Sequence, residues 1–107
     1  MKLPSPIQAY FDADKGGKSD ALVQTFASDA VVQDEGRSYA GTQAIEAWWR
    51  EVKAKYQHTV EPLESGERGD VTNVRARVTG CFPGSPAVLT FTFQINNDWI
   101  GRLEIGA

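Results

Sequence analysis

Cysteine and histidine occur once each in this chain, at Cys81 and His58. A lone cysteine excludes an intramolecular disulfide and fits a reducing compartment. One histidine with one distant cysteine gives no metal cluster, since a zinc site draws on three or four suitable ligands. Long apolar runs are missing as well: nothing approaches the about 18 consecutive apolar residues of a membrane span. The opening stretch, "MKLPSPIQAYFDAD", has early prolines and no apolar core, unlike a secretory signal. The 11 lysines and arginines do not cluster, and the formal charge is -3, so the basic footprint of a nucleic-acid binder is absent. Internal repeats, low-complexity tracts and linkers are also lacking. These absences predict a cytoplasmic, soluble protein with neither a nucleic-acid nor a membrane partner.

What is present is enough for one domain over residues 1–107, because a second core would leave each half too short to stand alone. Apolar residues make up 41%, including three Trp, three Tyr and five Phe, which can fill one core and line a cavity. Ser5, Pro6 and Gln8 form the pattern S-P-x-Q, which predicts a capping box with proline at the first helical position. Ile7, Tyr10 and Phe11 then fall on one helical face, and "KGGK" ends the helix. A second helix is predicted from Ser19 to about Ala27, burying Leu22, Val23 and Phe26. Short strands follow at Ala30–Gln33 and Arg37–Ala40. Thr42 is placed to cap a third helix with the apolar stripe Ile45, Trp48, Trp49, Val52 and Tyr56, the strongest periodic signal in the sequence.

After Tyr56 the pattern changes. Period-2 runs rich in β-branched residues alternate with the turn clusters "SGERGD", "FPGSPA" and "NND", bounding strands near 57–65, 71–82, 87–96 and 99–105. Short turns between four strands predict an antiparallel meander. In the third, Leu89, Phe91, Phe93 and Ile95 share one face, and Val88, Thr90, Thr92 and Gln94 the wetter one. The fold class is α+β, with helices first and the meander last.

This order of elements resembles the nuclear-transport-factor-2-like superfamily, which includes ketosteroid isomerase, SnoaL-like polyketide cyclases, scytalone dehydratase and limonene epoxide hydrolase. The resemblance spans nearly the whole chain and is carried by "IQAYFDAD", "LVQTFASDAVVQDEG" and "AGTQAIEAWW". It implies a cone-shaped α+β barrel, with three N-terminal helices packed on a curved antiparallel sheet. In the comparison with ketosteroid isomerase, Tyr10 matches the oxyanion-hole tyrosine and Asp34 the general-base aspartate. Phe26 lies sixteen residues after Tyr10 and eight before Asp34, the spacing of the family. Trp48 and Trp49 fall where the family has aromatic residues near its pocket. The chain departs from the isomerase at the second oxyanion donor, an acid, where Phe91 stands at or near the position. Only His58 is available where scytalone dehydratase uses two histidines, and the Asp-Arg-Asp set of the epoxide hydrolases finds no place on these strands.

For the chemistry, a carboxylate at an apolar wall loses hydration and becomes a better base. Proton removal beside a carbonyl also needs a donor for the oxygen that becomes negative. Asp34 and Tyr10 are the candidates for those roles; ketosteroid isomerase is itself a standard illustration of this division. The competing reading of "QDEG" is a solvated polar turn, and that of Tyr10 a core phenol. Phe26, Trp48, Trp49, Phe91, Phe93 and His58 are the candidate substrate contacts. Cys81 reads as a small buried residue or a dimer-facing thiol, and Arg75 and Arg77 as salt-bridge partners on the wetter face. Two functions follow. One is acid–base catalysis without cofactor or metal on a small apolar carbonyl compound: isomerisation, aldol-type cyclisation or dehydration. The other is a non-catalytic ligand-binding or dimerisation domain. The resemblance implies a homodimer through the outer sheet face.

Overall fold

The computed structural model describes residues 1–107 as three helices and six strands in the order α1 (Ser5–Gly16), α2 (Ser19–Val23), β1 (Phe26–Asp34), β2 (Arg37–Ala40), α3 (Thr42–Tyr56), β3 (Thr59–Arg68), β4 (Val71–Thr79), β5 (Ala87–Asn96) and β6 (Trp99–Gly106). The α+β class holds, with a refinement: α3 follows β1 and β2, so the helices do not form one N-terminal block. No helix is long and apolar enough to cross a membrane.

The strands form one curved sheet in the order β2-β1-β6-β5-β4-β3. From β3 to β6 it is the antiparallel meander that the turn clusters predict. The sheet is not wholly antiparallel, however, because β1 lies parallel to β6. That pair joins segments far apart in sequence, and no local pattern announces it. The same pairing corrects the second helix. Phe26 is matched with Ile100, and the Ile100 amide donates to the Thr25 carbonyl at 2.9 Å, so the chain leaves the helix after Val23 and Phe26 begins a strand. Residues 66–68, expected as turn, continue β3 instead, held by pairing with β4 as far as Arg68 opposite Val71.

Neither predicted cap forms. Pro4 is the N-cap of α1 and Gly41 that of α3, where a φ of 87° suits glycine, and neither supplies a side-chain hydrogen bond. The apolar stripes do what their spacing requires. Ile7, Tyr10 and Phe11 of α1 and Ile45, Trp48 and Trp49 of α3 are buried against Val74, Ala76, Phe91, Phe93 and Leu103 of the sheet. Fully burying one large apolar side chain stabilises a fold by roughly 1.5–3 kcal/mol before entropy is counted. On the other face of the sheet, Arg75 pairs with Glu64 and Arg77 with Glu61, the salt bridges expected there. Cys81 is exposed, not buried, because it lies in the loop between β4 and β5 rather than in β4.

Candidate functional site

Between α3 and the concave face of the sheet lies a cavity of about 570 Å³, with twelve hydrophobic residues among the seventeen that line it. This falls in the range of small-molecule sites. One wall is the α3 stripe: Trp48, Trp49, Val52 and Tyr56. The sheet supplies Val60, Val78, Leu89, Phe91 and Ile105, while Phe82 and Pro83 come from the β4–β5 loop. Polar groups converge from Tyr10, Asp34, Glu35 and His58.

The acid at the end of the two valines is explained by strand geometry. Ala30, Val32 and Asp34 alternate onto one side of β1, so the period that buries Val32 also turns Asp34 inward. Asp34 pairs with Arg37 across a two-residue hairpin whose central residues, Glu35 and Gly36, have φ values of 53° and 75°. Positive φ at both positions is the hairpin turn that suits right-twisted strands. The turn and the pocket acid are therefore adjacent residues of one motif. Trp48 Nε1 donates to Asp34 Oδ2 at 3.0 Å and fixes the carboxylate. Burial raises the Asp34 carboxyl above its ordinary value; the Trp48 hydrogen bond opposes this and the charge of Glu35 adds to it.

Tyr10 is buried among Phe11, Phe26 and Phe93, with ring centroids at 5.3, 5.9 and 5.5 Å in edge-on contacts. Its hydroxyl has no hydrogen bond within the protein, yet it is not sealed off, and the residue lines the cavity. Burial, reinforced by the negative charges of Asp14 and Asp34, pushes the phenol well above its ordinary value. It therefore remains a neutral donor.

Trp48 and Trp49, about 100° apart on the helix, both border the cavity and serve different carboxylates. Trp49 Nε1 donates to Asp14 Oδ1 at 2.8 Å. His58 Nε2 lies 3.0 Å from the same oxygen, and Lys53 Nζ 3.4 Å. Burial alone would raise Asp14, but the hydrogen bonds from His58 and Trp49 and the charges of His58 and Lys53 outweigh it and hold the carboxyl below its ordinary value. Asp14 escaped the sequence reading, although a signal was there: it lies seven residues after Ile7 and four after Tyr10, on the buried stripe of α1. A carboxylate on an apolar stripe demands a partner.

The candidate contacts divide accordingly. Trp48, Trp49, Phe91 and His58 line the cavity together with Tyr10 and Asp34. Phe26 and Phe93 do not; they stand behind the Tyr10 ring in the core, and their expected contact with a ligand is corrected on that ground. No group of three or more His, Cys, Asp or Glu side chains gathers at metal-binding spacing.

A protein with a ketosteroid isomerase-like fold from Catenulispora acidiphila, solved with trimethylamine, superposes with a TM-score of 0.86 at 20% identity, covering 99% of this chain and 87% of that one. A candidate polyketide cyclase from Xanthomonas campestris gives 0.79 at 20% identity over 94% and 86% of the two chains. Identities this low establish shared fold alone. Another candidate polyketide cyclase, from Sinorhizobium meliloti, is 50% identical, with a TM-score of 0.95 and coverage of 96% of this chain and 94% of that one. No curated protein matches the chain. Residues 7–99 match the SnoaL-like domain, and the chain belongs to that family.

Proposed function

We propose that this protein performs acid–base catalysis on a small, mostly apolar carbonyl compound held in the cavity between α3 and the sheet. The observation that carries the reading is the Asp34 carboxylate, fixed by Trp48 at a mostly apolar cavity wall and made more basic by burial. Asp34 removes a proton from the carbon beside the carbonyl. Tyr10, neutral and without an internal partner, donates a hydrogen bond to the oxygen on which charge develops. Isomerisation, aldol-type cyclisation and dehydration all begin with this step, and the likeness to candidate polyketide cyclases is compatible with each. The chemistry needs no cofactor, since the charge resides on substrate oxygen. Pairing of two copies through the outer sheet face belongs to the same proposal, to be checked by sedimentation.

The test is proton exchange at the α-carbon of 2-tetralone in deuterated buffer, followed by NMR. Wild-type protein should accelerate exchange, and Asp34→Asn should lose about 10²–10⁴-fold, the usual contribution of a positioned base. Binding of 2-tetralone without Asp34-dependent exchange would leave a ligand-binding domain in place of an enzyme.

A further inference from the structure

Asp14 and His58 are 44 residues apart in sequence and meet at 3.0 Å beside the cavity. The Asp14 side chain is 3% exposed and that of His58 11%. Residue 58 is fixed on several sides. Gln57 ends α3 in the left-handed region, at φ 49°, and so turns the chain into the wall. Lys53 Nζ donates to the His58 carbonyl at 2.8 Å, holding the backbone, while Asp14 holds the ring. From the β4 side, Gly80 is packed so closely that an added Cβ would stand 3.2 Å from His58 Cα.

A purely structural role for the cluster would be to pin α1 to α3. Trp49 and Lys53 already do that, since both reach Asp14 from α3. A histidine adds a second ring nitrogen. With Nε2 on Asp14, Nδ1 has no partner within the protein and is not sealed off, and the ring lines the cavity that Asp34 and Tyr10 share.

We propose that His58 is a second proton-transferring group of this site, positioned by Asp14, so that the imidazole serves the ligand oxygen while Asp34 serves the neighbouring carbon. This rests on the acid–base reading of Asp34. In the step, Asp34 takes the proton from the α-carbon and the C–H electron pair becomes a new C=C bond. The carbonyl π pair moves to oxygen, which takes a proton from the imidazolium Nδ1. The products are an enol, a neutral Asp34 and a neutral imidazole, and the reverse steps restore both groups. Tyr10 donates a hydrogen bond to the same oxygen and keeps its proton. The Asp14 carboxylate holds Nε2 at 3.0 Å and so leaves Nδ1 to face the cavity, in the manner of an acid that orients a catalytic histidine. The other titratable groups around the cavity are Tyr10 on α1, Asp34 and Glu35 at the β1–β2 hairpin, and Tyr56 on α3, with Lys53 beside Asp14.

The experiment is 2-tetralone exchange as a function of pH in wild type, Asp34→Asn, His58→Gln and Asp14→Asn. Asp34→Asn should lower exchange by about 10²–10⁴-fold. His58→Gln should lower it at least tenfold and remove the alkaline limb of the profile, where the proton donor is lost. Asp14→Asn should lower the exchange rate at saturating 2-tetralone with little change in KM, because the ring loses the carboxylate that orients it while the cavity is intact. Exchange that depends on Asp34 but keeps its rate in His58→Gln, or loses rate with an unchanged pH profile, overturns the proposal and leaves the Asp34 reading standing. No Asp34-dependent exchange at all overturns both. Should Asp14→Asn fail to fold, wild-type NMR with 2-naphthol decides. Saturation, monitored by the Trp48 and Trp49 indole N–H signals, should shift the His58 ring protons; indole shifts with a stationary imidazole refute the proposal.

Discussion

Replacing Asp14 with alanine removes the acceptor that Trp49 and His58 share at 2.8 and 3.0 Å, together with the anion beside Lys53. Breaking a buried charge pair by deleting one partner costs about 3–5 kcal/mol, and each donor left without a partner accounts for about 1–3 kcal/mol of such losses. These contributions overlap, and Lys53 is partly solvated with 24% of its side chain exposed, so the lower end applies: about 3 kcal/mol. For a chain of this size that lowers the melting temperature by roughly 12–24 °C. The pH dependence gives the sharper check. Asp14 is held below its ordinary value in the fold, so its contribution is present above the unfolded value of about 3.9 and is lost as pH falls through the still lower folded value. Urea denaturation from pH 7 to pH 3 should therefore show a wild-type advantage that is flat at neutral pH and narrows below about pH 4. Asp29→Ala, at an exposed strand position, is the control and should stay within about 0.5 kcal/mol. A difference under about 1 kcal/mol at pH 7, or one that persists unchanged in acid, would refute the assignment of Asp14 as a buried, charge-assisted hub.

The opposite sign is expected at Asp34. Its carboxyl is raised in the fold, so wild type loses stability as pH rises between the unfolded and folded values, and Asp34→Asn should melt no lower than wild type at pH 7. A variant that loses exchange activity and also melts several degrees lower would contradict this. Gly80→Ala would place a Cβ 2.7 Å from the Tyr56 carbonyl oxygen, a backbone atom that cannot swing aside, so a cost of about 1–3 kcal/mol is expected by chemical denaturation. Cys81 is exposed, and the folded protein should release one equivalent of chromophore from a disulfide thiol reagent without denaturant. A thiol that reacts only after unfolding would place it in the interior instead.

The parts of this molecule legible in the sequence are those whose physics is local. The stripe Ile45, Trp48, Trp49, Val52 and Tyr56 describes α3 because helix geometry alone puts these residues on one side. Alternation through Leu89, Phe91 and Phe93 describes the inner face of β5 for the same kind of reason. The inward turn of Asp34 follows from the period that buries Val32. Where local and long-range forces disagreed, the long-range pairing prevailed: Phe26 has helical spacing with Leu22 and Val23 but is a strand residue because it pairs beside Ile100. The spacing that linked Phe26 to Tyr10 and Asp34 identified a core contact with the tyrosine ring, not a wall of the cavity.

By itself, then, the sequence determined the α+β class, the meander, the amphipathic faces and the placing of an acid at the end of an apolar strand, all set by neighbours within a few residues. Only the tertiary structure decided which partner each polar group has. Trp48 and Trp49 are adjacent, yet one holds Asp34 and the other Asp14, and His58 reaches Asp14 across 44 residues. Such pairings arise when the sheet closes around the core and brings α1, α3 and the start of β3 to one place. A buried charge is then stabilised by whichever donors that packing delivers, and the choice of partner leaves no periodic trace along the chain.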